Sequence, residues 1–227
     1  VNKDKKIIDL IPPQVSKEQN THIQQLSYDT LVLALGSVSN DFNTPGVREN
    51  CHFLDSRKQA DIFQQDLLHL YIEAQNQPDQ RTLNIGVKIT LIEASERILP
   101  ALSEKTAEHS AKQLQKMGVE ILTKHRVEKI DEHCIYFSNG NQLNSDITVW
   151  AAGVKAPKVL ENLSDFERDN INRLMVYATL QTYSDPNVFA FGDCAHCQLD
   201  ARHPPLGPRA QVASQQASFL VDAMAAR

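Results

Sequence analysis

The chain has 227 residues, 41% hydrophobic and 22% charged, enough for one large domain or two of modest size. That composition excludes a disordered, collagenous or coiled-coil chain, and a net charge of −5 gives no reason to expect nucleic acid as a partner. The longest apolar runs, such as 31–35 and 189–191, fall far short of the ~18 residues of a membrane span.

In chain order, 5–10 and 23–26 read as short β segments flanking a polar stretch with Pro12 and Pro13. Residues 28–36 read as a buried strand, apolar through its centre and closed by Gly36. A loop over 37–54 carries the turn signal Thr44-Pro45-Gly46. Ser56 is placed to cap a helix over 58–75, where Phe63, Leu67, Leu70, Tyr71 and Ala74 recur at spacings of three and four. A strand over 88–93 then leads to a helix over 104–117, capped by Ser103 and ended by Gly118, and to a strand over 119–122. Three β segments follow at 127–131, 134–137 and 146–150, with the hairpin signal Asn139-Gly140 between the second and third. After a polar, irregular stretch comes a strand over 187–191 ending in Gly192-Asp193, and a final helix over about 208–225.

Two features suggest missing sequence. The eight glycines are about half the usual ~7%. Residues 81–87 precede the strand at 88–93 with no room for a crossover helix, although 82–84 looks like the start of a strand. A glycine turn and helix are therefore expected to be absent between Asn84 and Ile85.

The strand ending in Gly192-Asp193 delivers a carboxylate at its carboxyl end, where ligands of open α/β sheets bind, beside a glycine that admits close backbone approach. Taken alone, a Gly-Asp after a strand is more often an ordinary turn. Four cysteines are too few for a disulfide scaffold and point to a reducing compartment. Cys194-Ala-His-Cys197 could be a redox disulfide, half of a metal site with His196 or His203, or inert core. The inert reading is preferred, because no second C-x-x-C completes a metal site.

Several segments occur together and in order: Tyr28–Phe42, Thr44-Pro-Gly46, Phe53-Leu-Asp55, Ile89-Thr-Leu-Ile-Glu-Ala94, Arg97-Ile-Leu-Pro-Ala-Leu102, Val149-Trp-Ala-Ala-Gly153, Lys155-Ala-Pro157, Phe189-Ala-Phe-Gly-Asp-Cys-Ala195 and Pro208-Arg-Ala-Gln211. On these the chain resembles type II NADH dehydrogenase, the single-subunit NADH:quinone oxidoreductase of the two-dinucleotide-binding-domain flavoproteins. The resemblance implies an α/β fold of two Rossmann-like domains with an inserted β-meander. It assigns 1–54 and 156–227 to a discontinuous FAD domain and 55–155 to an NADH domain. Both glycine-rich pyrophosphate loops of the family are absent from this sequence, as is its C-terminal membrane-anchoring region, so the resemblance implies a partial chain that is inactive in isolation.

The resemblance further implies FAD as cofactor, held at Ala34, Gly36, Gly192, Asp193 and Ala195, and NADH as substrate, met by Glu93, Ala152 and Gly153. An acid at 93 suits two ribose hydroxyls and repels a 2′-phosphate, although nearby Arg97 could pair with one. No catalytic acid–base residue and no metal is expected, since hydride passes between the cofactors. On the final helix, Ala210, Ala213, Ala217, Leu220 and Met224 form an apolar stripe, while Gln211, Gln215, Ser218 and Asp222 form a polar one. By pattern the polar stripe is a solvated face; by resemblance Gln211 and Gln215 meet the quinone. The family reading adds a peripheral place on the cytoplasmic face of the inner membrane, and allows a homodimer. Two rivals stand beside it: a related flavin reductase with another acceptor, or a non-catalytic remnant serving as an interaction module.

Overall fold

The computed structural model describes residues 1–10, 24–76 and 88–226. The expected gap between Asn84 and Ile85, the prolines at 12 and 13, and the start of the second β segment at Ile23 lie outside the described residues. The fold is mixed α/β and divides into two compact units, Val1–Val38 with Gly153–Arg227, and Ser39–Ala152. Residues 39–54 thus pack in the second unit, not in the first where the sequence places them. Val47, fully buried, ties them there to Ile130, Ile135, Phe137 and Trp150.

The first unit is built on a five-stranded sheet. Its order is Ala195–Cys197, Leu174–Val176, Gln181–Thr182, Asp185–Ala190 and Leu31–Leu33. The two outer pairs are parallel and the inner pairings antiparallel. Leu31–Leu33 pairs in parallel with Asp185–Ala190, so both strands run out at the same edge. Leu174, Val176, Val188 and Ala190 are fully buried, and Leu220 of helix Ala210–Ala225 joins their core. Each large aliphatic side chain buried there contributes roughly 1.5–3 kcal/mol. A separate antiparallel pair joins Ile7–Leu10 to Gln24–Ser27.

Two strands, Leu174–Val176 and Gln181–Thr182, fall in the stretch read from sequence as irregular. They are too short to show a period, and their burial comes from neighbours distant in sequence. The strand expected over 28–36 contracts to Leu31–Leu33, and that over 187–191 becomes Asp185–Ala190.

The second unit contains a parallel β-α-β element: Thr90–Ile92, helix Glu104–Lys116 and Glu120–Leu122. Ser103 Oγ accepts the Thr106 N–H at 3.2 Å, and Gly118, at φ 84°, ends the helix as its sequence position predicts. Helix Arg57–Asn76 begins after Ser56, whose Oγ accepts the Gln59 N–H at 3.3 Å. Phe63, Leu67, Leu70 and Ala74 are half-buried, whereas Tyr71, assigned to the same stripe, lies on its flank and is exposed.

The meander is Val127–Ile130, Cys134–Phe137 and Gln142–Asn144. Its third strand is therefore not 146–150. Gly140, at φ 83°, closes so tight a hairpin that Tyr136 pairs with Gln142 at once. Residues 146–150 make only an isolated bridge, Val149 to His52.

Gly46 fixes the second unit's core. It has φ 78°, and an added Cβ would stand 1.7 Å from the Ile130 carbonyl oxygen. Both backbone strain and collision with a buried strand oppose any side chain there. Gly46→Ala is expected to cost at least ~3 kcal/mol. Urea unfolding followed by the fluorescence of Trp150, the single tryptophan, reads this unit directly. An unchanged midpoint would show that the loop yields without cost.

Candidate functional site

The parallel pairing of the first unit sets the candidate site. Leu31–Leu33 leads into Ala34-Leu35-Gly36, and Asp185–Ala190 leads into the single turn Gly192–Cys194. The Phe191 N–H donates to the Leu33 carbonyl at 3.3 Å, and the Leu35 N–H to Cys194 Sγ at 3.4 Å. Ala34, Gly36, Gly192, Asp193 and Ala195 thus gather at one sheet edge. Gly36 has φ 66° with open space where a Cβ would lie, while Gly192 has φ 72° and packs against Ala213 of the final helix. Asp193 is half-buried, and its Oδ2 accepts the Ser37 hydroxyl at 2.8 Å. Its Oδ1 has no partner among the described residues, leaving an acceptor for a ligand hydroxyl. Ala195 is buried; its contribution to the edge is backbone.

A second set of polar contacts anchors the chain just beyond this turn. Asp169 accepts the Arg173 backbone N–H and guanidinium Nε, each at 2.8 Å, and its Oδ2 lies 3.0 Å from His196 Nδ1. Burial pushes the Asp169 carboxyl up, but Arg173 and His196 together outweigh it and hold the group below the usual carboxylate range. His196 sits in the strand that follows the turn, paired with Met175.

In the second unit, Glu93 follows Thr90–Ile92 at the strand's carboxyl end. Its N–H donates to Leu122 and its Oε1 accepts the Ser95 N–H at 2.8 Å, which fixes the side chain with Oε2 still available. Arg97 is engaged elsewhere: its guanidinium donates to the carbonyls of Leu99, Pro100 and Leu102 at 3.1, 3.0 and 2.8 Å. It is thereby held in its own loop and not offered to a phosphate. Ala152 ends the second unit and Gly153, at φ 86°, opens the return to the first; both are exposed.

The final helix starts at Ala210, two residues later than the sequence suggests. Gln211 and Gln215 are exposed, as are Ser218 and Asp222, while Ala213, Ala217 and Met224 are half-buried. Ala210, assigned to the inward stripe, is exposed because it forms the helix's first residue. A cavity of about 160 Å³ lies beside the other end of the helix, lined by Thr179, Gln181, Phe189, Phe219, Ala223 and Met224; neither glutamine reaches it. The buried helix amide is Gln216, which accepts the Gly192 N–H at 2.8 Å. It is a polar residue three positions after Ala213 and four before Leu220, inside the apolar stripe, and that misplacement was its only sequence signal.

Cys194 and Cys197 are fully buried in the sheet core. Cys194 Sγ donates to the Phe191 carbonyl at 3.3 Å, and burial pushes both thiols above their ordinary pKa. Raised values leave little thiolate near neutral pH, which favours the inert reading of the C-x-x-C. Among the described residues no group of three or more His, Cys, Asp or Glu side chains is arranged to hold a metal. In native protein at pH 8, Cys194 and Cys197 are expected to resist a disulfide reagent and to react fully on unfolding. Rapid formation of a Cys194–Cys197 disulfide in the native state would restore the redox reading.

Comparison with known proteins bears on the whole arrangement. Residues 2–217 match the pyridine nucleotide-disulphide oxidoreductase family. The chain is 32% identical to the type II NADH:quinone oxidoreductase of Haemophilus influenzae, over 96% of this chain and 60% of that protein. It is 28% identical to a probable NADH dehydrogenase of Dictyostelium discoideum, over 86% of this chain and 51% of the other. The chain therefore spans only about half to three-fifths of these relatives. The Haemophilus alignment runs over 267 residues, more than the 227 present here, so that relative holds internal residues with no counterpart in this chain. Among solved structures, NDH2 from Plasmodium falciparum in complex with NADH superposes with TM-score 0.74 at 19% identity, covering 87% of this chain and 49% of that one. An NAD-dependent persulfide reductase from A. fulgidus gives TM-score 0.77 at 22% identity, covering 99% and 43%. These likenesses show the FAD/NAD(P)-binding fold, and with the match over 2–217 they place the chain in the pyridine nucleotide-disulphide oxidoreductase family.

Proposed function

We propose that this chain is part of a flavoprotein that passes two electrons from NADH to a membrane quinone without pumping protons. The observation that carries the reading is the convergence of Gly36, Gly192 and Asp193 on one sheet edge, in a chain similar to type II NADH:quinone oxidoreductases along 96% of its length. The donor set suits the flavin: an uncommitted carboxylate oxygen on Asp193 can accept a ribityl hydroxyl, and the left-handed glycines keep side chains away from the approach. Held at Gly36, Gly192 and Asp193, FAD would supply the hydride acceptor for NADH and the electron donor for the quinone. The residues of this chain bind and orient the cofactors, with Ser37 holding the Asp193 carboxylate in place.

Glu93 is the proposed ribose acceptor for NADH, with Ala152 and Gly153 as small residues where nucleotide and flavin rings stack. The engagement of Arg97 by three carbonyls supports NADH over NADPH, because a 2′-phosphate would meet Glu93 without that cation beside it. In the holoenzyme, Glu93→Gln is expected to narrow the NADH/NADPH preference in kcat/KM by roughly 1–3 kcal/mol, the scale of a charge-assisted hydrogen bond. An unchanged ratio removes Glu93 from the site.

Gln211 and Gln215, one turn apart on an exposed face, are the proposed quinone contacts. Uncharged amides can donate to quinone carbonyls in apolar surroundings without the cost of burying a charge. No described helix is long and apolar enough to cross a membrane. Attachment at the cytoplasmic face of the inner membrane belongs to the same proposal, as does pairing into a homodimer. In the full-length enzyme, Gln211→Ala or Gln215→Ala should raise quinone KM or lower quinone-dependent kcat by about 10-fold, the effect of ~1.4 kcal/mol. Flavin reduction by NADH in stopped flow should stay normal. Wild-type quinone kinetics in both variants would leave these glutamines as a solvated helix face.

A further inference from the structure

The turn that presents Asp193 is held by the one polar side chain set within the apolar stripe of the final helix. We propose that Gln216 is the positioning residue of this turn: its amide oxygen clamps the Gly192 N–H and so sets where the Asp193 carboxylate stands. What Asp193 then meets rests on the flavin reading above, but the clamp itself does not.

Gln216 is 8% exposed, and its Oε1 accepts the Gly192 N–H at 2.8 Å. Ala213, three residues earlier on the same helix face, stands 3.4 Å from where a Cβ on Gly192 would lie. The helix therefore leaves little room for a side chain at Gly192, which has φ 72°, while the Gln216 amide accepts its N–H. Asp193 comes next, its Oδ2 on Ser37, and then Cys194, whose Sγ accepts the Leu35 N–H. If Gly192 loosens, both cross-strand contacts loosen with it. Deprived of that acceptor, the half-buried Gly192 N–H loses the bond that pins the turn to the helix, and the turn loosens.

The test compares the wild type with Gln216→Leu, which removes the acceptor at similar volume, and Gln216→Glu, which keeps an oxygen in reach. Amide hydrogen exchange read on peptides spanning 189–197 reports the clamp, with thermal unfolding as a control. Exchange at Gly192 is expected to accelerate at least ~10-fold in Gln216→Leu and to return near the wild-type rate in Gln216→Glu. Gln216→Asn, whose amide is one methylene too short, should behave as Gln216→Leu and replaces it if that variant does not fold. Wild-type protection in Leu or Asn, or equal loss in Glu, overturns the proposal. FAD content of the purified full-length protein, from its visible absorption, separates the two readings. Flavin lost in Leu and retained in Glu supports both. Full-length wild-type protein that holds no FAD, with exchange following the expected pattern, keeps the clamp and removes the flavin reading.

Discussion

The parallel pairing of Leu31–Leu33 with Asp185–Ala190 is the constraint on which the first unit depends. It joins segments more than 150 residues apart in sequence, a costly loop closure offset by the burial of Val188, Phe189 and Ala190 in a shared core. Because the strands run the same way, their outgoing loops meet. Gly36, Ser37, Gly192 and Asp193 become neighbours for that reason alone, and an antiparallel pairing would have put the two loops at opposite edges.

Around that edge, hydrogen-bond accounting separates residues able to meet a ligand from residues already committed. Asp169 is occupied by Arg173 and His196, and serves as an anchor. Asp193 gives one oxygen to Ser37 and retains the other. In the second unit, Glu93 is fixed by Ser95 yet keeps an oxygen, while Arg97 is held by three carbonyls of its own loop. Charge in the sequence is thus a poor guide to charge at a site. The cysteines carry the same lesson: a C-x-x-C spacing that invites redox chemistry lies in a core that keeps both thiols protonated.

Elements with local causes were legible in the sequence. Ser103 and Ser56 cap their helices, Gly118 ends one, Asn139-Gly140 closes the hairpin, and Glu93 stands after its strand, because each depends on residues within four or five positions. The strand ending at Gly192-Asp193 was legible for the same reason. Family motifs carried the fold class and the proposed cofactors across distances that local pattern does not span. What the tertiary structure alone decided were matters of long-range contact. The strands Leu174–Val176 and Gln181–Thr182 exist because sheet neighbours complete them; residues 39–54 join the second unit because Val47 packs on Ile130. Gln216 became the buried amide of the final helix because a glycine N–H twenty-four residues earlier needs an acceptor there. A helical period can say which residues share a face, but the polar groups facing them across the core are set only when the chain folds.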